Sequence, residues 1–222
     1  MNYFPISLDI RSRNCIVIGG GKVAARKVKS LLASHGKVTV ISPELDDELA
    51  PLAGNDSIKW LKRDYRQGDL AGAFLVIAAT DDVTVQEAVH REAEAHNLLV
   101  NVADVPKWCN FILPATVRRG DLTISVSTAG KSPALAKQLR KNLERQYTDD
   151  YDLLLRVLGR LRPIVLDMGL PHEENKILFE NLLHRDMIVW LRKQDWQALT
   201  DHIRSILGKD IPLDDLVGHA EQ

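Results

Sequence analysis

The sequence predicts an α/β fold: a parallel sheet covered by helices on both faces, then a small β-hairpin and helix, then a helical C-terminal region. Three observations carry this. Short apolar runs alternate with amphipathic stretches from residue 14 to about 113. The first of those runs ends in Gly19-Gly20-Gly21 and opens directly into a helical pattern. Beyond residue 113 the alternation gives way to one hairpin signal and then to helical periodicity alone.

The strand candidates are Cys15–Ile18, Val38–Ile41, Ile58–Leu61, Phe74–Ala79 and Leu98–Val102. They are short, continuous and apolar, as expected of strands buried on both faces. From Lys22 to His35, Ala24, Val28, Leu31 and Leu32 recur at helical spacing; from Val83 to His96, Val85, Ala88, Val89 and Ala93 do the same. Phe111–Arg118 and Leu122–Ser127 read as strands joined by the turn Arg119-Gly120-Asp121. Ser132-Pro133 supplies an N-cap and a first-turn proline for a helix to about Tyr147. Helical periodicity then runs from Thr148 to Leu207, with breaks expected at Arg162-Pro163, Gly169-Leu170-Pro171 and Gly208, and a fraying tail over Asp210–Gln222. Three segments result: 1–113, 114–147 and 148–222.

Composition narrows the function classes. The 222 residues hold one large domain or a domain with an appendage, and 45% apolar with 27% charged residues is ordinary for a globular protein. A net charge of -1 provides no basic field for nucleic acid. The two cysteines, Cys15 and Cys109, suit a reducing compartment and not a disulfide framework. The opening Met1-Asn2-Tyr3-Phe4-Pro5 lacks a signal pattern and no run reaches membrane-spanning length, so a cytoplasmic location away from membranes is expected. The seven histidines show no metal-ligand spacing, and no resident metal is expected.

The glycine turn reads Gly19-x-Gly21-x-x-Ala24 between a strand and a helix, the context of a Rossmann-type dinucleotide site. Gly19 permits the tight turn, Gly21 lets the backbone approach phosphates, and Ala24 is small enough for helix–strand packing. The second strand ends Ile41-Ser42-Pro43-Glu44 with no arginine nearby, which favours NAD, although Glu44 equally suits a solvated surface. In Ala78-Ala79-Thr80-Asp81-Asp82 one acid suits a helix cap and Thr80 a cofactor contact. Asn101-Val102-Ala103-Asp104-Val105-Pro106 stands at the carboxyl end of the last parallel strand, where such sheets bind ligands. Asp104 is there either a general base or a turn cap. The loop with Ser127, Thr128, Lys131 and Ser132, before a helix start and near Arg118, Arg119, Lys137 and Arg140, suits a carboxylate or phosphate. A solvated charged face is the plainer reading of those cations. Cys109 reads as a packing residue, not a nucleophile.

These stretches, together with Pro5-Ile6, Phe111-Ile112-Leu113-Pro114 and Ala129-Gly130-Lys131-Ser132-Pro133, resemble the precorrin-2 dehydrogenase/sirohydrochlorin ferrochelatase family, which includes the N-terminal module of siroheme synthase. The resemblance spans residues 1 to about 147, and the chain looks like the stand-alone form because it ends where a fused methyltransferase domain would begin. It implies a homodimer with an NAD-binding Rossmann domain, a dimerisation segment over 114–147 and a helical C-terminal domain. It implies oxidation of precorrin-2 to sirohydrochlorin with NAD, and in some members insertion of Fe²⁺ as a second substrate. The family's key aspartate matches Asp104, and its cofactor contacts match Lys22, Val23, Pro43 and Glu44; Asn101, in the stretch that carries Asp104, is expected as a further cofactor contact. Thr128 stands where some members have a serine, which puts regulatory modification there in doubt. The competing classes are a non-catalytic NAD-sensing module and an NAD enzyme for another small substrate. Both leave the 101–107 and 127–133 stretches without a joint purpose.

Overall fold

A computed structural model describes residues 3–217. They divide into two compact units, one up to Leu113 and one from Pro114 onward. The first holds five parallel strands: β1 (Asn14–Ile18), β2 (Lys37–Ile41), β3 (Lys59–Leu61), β4 (Leu75–Ala78) and β5 (Leu99–Val102). Their order is β3-β2-β1-β4-β5. Cys15 stands beside Val38 on one side and Leu75 on the other, and Leu75 beside Leu99. The order reverses between β1 and β4, and the carboxyl ends of those two strands are the crevice where a doubly wound sheet takes its ligand.

Alternation along the strands builds two cores. Cys15, Val17, Val38, Val40 and Ile77 meet Ala24, Ala25, Val28 and Leu31 of α1 (Lys22–Leu32) on one face. On the other, Ile16, Ile18, Val76, Ala78, Val100 and Val102 meet Val89 and Ala93 of α3 (Val83–Ala95). With both faces covered, no strand position can be polar without a partner, hence the unbroken apolar runs. The short α2 (Ala50–Gly54) has no buried residue and so leaves no apolar period in the sequence. No helix crosses from β3 to β4 among the described residues; the loop is tied down by buried Glu92, which accepts from Tyr65 Oη and from the backbone of Gly68 and Leu70, both at 2.9 Å.

The second unit opens with an antiparallel hairpin, β6 (Ala115–Arg119) and β7 (Leu122–Val126), turning at Gly120 with φ +54°. Residues 111–114, expected as strand, are not part of it. Among the described residues six helices follow: α4 (Pro133–Gln146), α5 (Asp150–Leu166), α6 (His172–Leu182), α7 (Met187–Lys193), α8 (Trp196–Leu207) and α9 (Leu213–Val217). Ser132 Oγ caps α4 by accepting from Leu135 N at 3.2 Å. The breaks at Gly169 and Gly208 occur, both glycines having φ +67°. Pro163 does not break α5. The carbonyl it deprives of a donor belongs to Gly159, and buried Leu161 and Val165 carry the helix on to Leu166. The tail does not fray as far as it is described, because Leu216 of α9 is fully buried in the helical core. His219 and the rest of 218–222 lie outside the described residues, as do Met1 and Asn2.

Candidate functional site

The turn after β1 is shaped by contacts that exclude side chains. Gly19 donates to Ile41 O at 2.9 Å and holds φ +107°; a Cβ there would stand 2.5 Å from Ala79 O. A Cβ on Gly20 would meet the carbonyl oxygen of Glu44. Gly21 differs, with nothing within 4 Å of where its Cβ would be. It is the extended N-cap of α1, no side chain caps the helix, and its first turn has no acid. The first-turn N–H groups around Lys22 and Val23 therefore keep their hydrogen-bonding capacity beside an open space a side chain would fill. That arrangement fits a diphosphate.

The loop after β2 is knitted to this turn. Asp46 N donates to Gly20 O at 2.7 Å, Ser42 Oγ donates to Glu44 O, and Trp60 Nε1 donates to Ser42 O at 2.9 Å. Pro43 and Glu44 are exposed on it. After β4, Thr80 is half-buried and its carbonyl accepts from Gln86 Nε2 at 2.7 Å. Asp82 is the helix cap, accepting from Thr84 N at 2.8 Å and Val85 N at 3.2 Å, while Asp81 is exposed.

A cleft of about 320 Å³ opens at the carboxyl end of β5, within the size range of small-molecule sites. Val23, Asn101 and Asp104 line it together, with Arg26, Lys27 and Cys109. Asp104 is exposed and held at φ +60°, a conformation non-glycine residues adopt mainly where surrounding structure imposes it. The cause is a tight turn, Val105 N to Val102 O at 3.3 Å, followed by a single 3-10 turn over Pro106–Trp108. Asn101 is buried and donates to Phe111 O at 3.0 Å. Asn110 donates to Leu98 O at 2.7 Å and accepts from Val100 N at 2.8 Å. Residues 109–111 thereby cover the edge of β5, which is why they do not continue into β6. Asn101's amide is committed to this tie, so it shapes the cleft wall from behind.

Two positions the sequence does not single out are Arg26 and Lys27. Within Lys22–Lys29 they look like any charged helix face. Only the strand order, which sets β5 near α1, brings them to the cleft with Asp104. Burial pushes the Lys27 ammonium below its ordinary pKa, with Arg26 adding to the effect and Asp104 and Cys109 opposing it. Burial likewise pushes the Cys109 thiol up, the character of a packing residue. Among the described residues no group of three His, Cys, Asp or Glu side chains is placed to hold a metal ion.

Ser127, Thr128, Lys131 and Ser132 belong to the second unit. Ser127 Oγ accepts from Ala129 N at 3.1 Å, and Thr128 Oγ1 donates to Ser132 O at 3.1 Å and accepts from Ser132 N at 3.2 Å. Ser132 Oγ is the α4 cap. These hydroxyls shape the loop, and Lys131 is its exposed cation.

Comparison with known proteins finds two adjacent matched segments. A family model described as "Putative NAD(P)-binding" matches residues 6–115, and one described as "Sirohaem biosynthesis protein central" matches residues 119–146. A siroheme synthase of Methylobacillus flagellatus is 40% identical over 182 residues, 82% of this chain and 39% of that protein. One of Zymomonas mobilis is 32% identical over 212 residues, 96% of this chain and 45% of its own length. The chain thus spans less than half the length of these relatives. A solved structure titled "SirC, precorrin-2 dehydrogenase" shares the fold, with a TM-score of 0.78 at 24% identity over 93% of this chain and 100% of that one. Two adjacent segments are matched in one order, a NAD(P)-binding one and a sirohaem-biosynthesis central one, and over most of its length the chain is similar to the siroheme synthases of these two organisms.

Proposed function

We propose that this protein oxidises precorrin-2 to sirohydrochlorin with NAD⁺, a step of siroheme biosynthesis. The observation that carries the reading is the cleft in which Asp104 and Val23 meet, one turn from the uncapped, open start of α1. NAD⁺, when bound, supplies the acceptor for the hydride. The residues of the chain bind, orient and manage the proton. Gly19 sets the turn, the backbone of Gly21, Lys22 and Val23 holds the diphosphate, and Pro43 with Glu44 receives the adenosine ribose, whose hydroxyls an acid accepts. Thr80 borders the nicotinamide end, with Asn101 fixing the strand edge behind it. Asp104 takes the proton that leaves as the hydride departs, so that two electrons and two protons are accounted for, and its exposure lets it pass that proton to water. Lys131, on the loop shaped by Ser127, Thr128 and Ser132, binds a substrate carboxylate.

The same carboxylate suits removal of pyrrole N–H protons, so insertion of Fe²⁺ into sirohydrochlorin is a second reaction for Asp104. The helix α4 exposes Leu135 and Leu139 one turn apart, at 47% and 40%, an apolar stripe suited to a second copy in a homodimer. Free Cys15 and Cys109 fit a cytoplasmic setting, and among the described residues no helix is long and apolar enough to cross a membrane. The test is direct: purified protein given precorrin-2 and NAD⁺ produces NADH and sirohydrochlorin in equal amounts. Absence of NADH with fresh substrate contradicts the reading. For chelation, metal incorporation into sirohydrochlorin no faster than without protein contradicts the second reaction.

A further inference from the structure

The roles assigned to the cleft leave its two cations without a task. Lys27 is half-buried and lines the cleft beside Asp104, and Arg26 is its exposed neighbour on the same wall. A half-buried ammonium has given up hydration, which folds offset with a hydrogen-bonded anion. Lys29, two residues on and exposed, is paired with Glu48. Lys27, the more desolvated of the two, makes no hydrogen bond or ion pair among the described residues; Asp104 and Cys109 act on it only through space. An adjacent arginine raises the cost of keeping it charged. Two neighbouring cations facing an open cleft, one desolvated and unpaired, with a carboxylate nearby but not in contact, describe a seat for an anion that arrives with the substrate. The diphosphate has its own place, about 7.5 Å nearer the helix start by the rise of five residues.

We infer that Lys27, with Arg26 beside it, receives one peripheral carboxylate of the tetrapyrrole and so sets which edge of the macrocycle meets Asp104. The inference rests on the precorrin-2 reading and deepens it. Lys27 is a specificity-determining residue: the acid side chain it binds adjoins the reacting carbon, and a substrate with that acid esterified is rejected.

The experiment compares wild type with Lys27→Met, Lys27→Gln and Lys27→Arg in three measurements. Sirohydrochlorin binding, followed by fluorescence quenching without cofactor, is expected to weaken about tenfold to a hundredfold in Lys27→Met and to return toward wild type in Lys27→Arg, the range of a lost charge-assisted hydrogen bond. The KM for precorrin-2 rises in proportion with kcat within about threefold, the mark of lost uniform binding. NAD⁺ affinity stays unchanged. Lys27→Met melts at or above the wild-type temperature, since a desolvated charge is removed; Lys27→Gln carries the test should Lys27→Met not fold. Sirohydrochlorin binding unchanged in Lys27→Met or Lys27→Gln overturns the inference, as does a parallel loss of NAD⁺ affinity, which would make Lys27 a cofactor residue. A wild type that binds sirohydrochlorin without oxidising precorrin-2 defeats the functional reading alone. An active wild type with an indifferent Lys27 defeats the inference alone.

Discussion

The sulfur of Cys109 lies 3.1 Å from the backbone nitrogen of Val102, accepting its hydrogen bond, and is within reach of the carbonyls of Val102 at 3.3 Å and Val105 at 3.4 Å. One thiol thus spans the turn that holds Asp104 in its left-handed conformation. Replacement by alanine leaves the Val102 N–H without a partner, and Cys109→Ala is expected to lose about 1–2 kcal/mol of unfolding free energy. It also slows turnover through a looser Asp104, while Cys109→Ser, which keeps donor and acceptor, loses less of both. Urea unfolding beside steady-state kinetics checks this; wild-type stability in Cys109→Ala contradicts it.

The three glycines of the turn separate folding from binding. Gly19→Ala combines φ +107° with a Cβ 2.5 Å from Ala79 O, against backbone that cannot move without the sheet. A loss of about 3 kcal/mol or more, or failure to fold, is expected. Gly21→Ala puts its methyl in open space at φ -82°, so stability stays within about 1 kcal/mol. The methyl then occupies the diphosphate's place, and NAD⁺ binding weakens about tenfold or more by calorimetry. Equal NAD⁺ affinity in a folded Gly21→Ala would put the phosphates elsewhere.

Much of this was legible in the sequence for one reason: strands buried on both faces must be apolar throughout, so Cys15–Ile18 and Val38–Ile41 stand out to within a residue. Asp104 draws notice in the sequence because it follows the last parallel strand, at the sheet edge where carboxyl ends gather. What escaped depends on distance in the chain. Lys27 acquires meaning only when the strand order sets β5 near α1, and Asn101 and Cys109 prove to be ties because 109–111 folds back along β5. Pro163 misleads as a break since the buried residues Leu161 and Val165 on either side of it hold the helix in the core.

The loop that replaces a crossover helix between β3 and β4 carries a pH dependence. Arg63 donates to both carboxylate oxygens of Asp69, at 2.7 and 2.8 Å, and holds its carboxyl below the ordinary 3.8. A carboxyl depressed in the folded state adds stability that is present in full above its unfolded value and lost as pH falls through the folded one. Wild type is expected to lose stability as pH drops below about 4, whereas Asp69→Asn is less stable at pH 7 and shows a flatter profile in that window. Thermal melts from pH 7 to 2.5 test this, and parallel profiles for the two proteins contradict it.

Asp104 bears the central claim, and its exposure makes the test clean, because Asp104→Asn keeps the shape and tolerates φ +60°. The decisive measurement is single-turnover NADH formation from precorrin-2 in Asp104→Asn, with NAD⁺ affinity measured separately on the same preparation. The predicted result is a fall of about a hundredfold or more in rate with unchanged NAD⁺ binding and melting temperature. A wild-type rate in that variant would contradict proton removal by Asp104, and with it the chemistry assigned to the cleft.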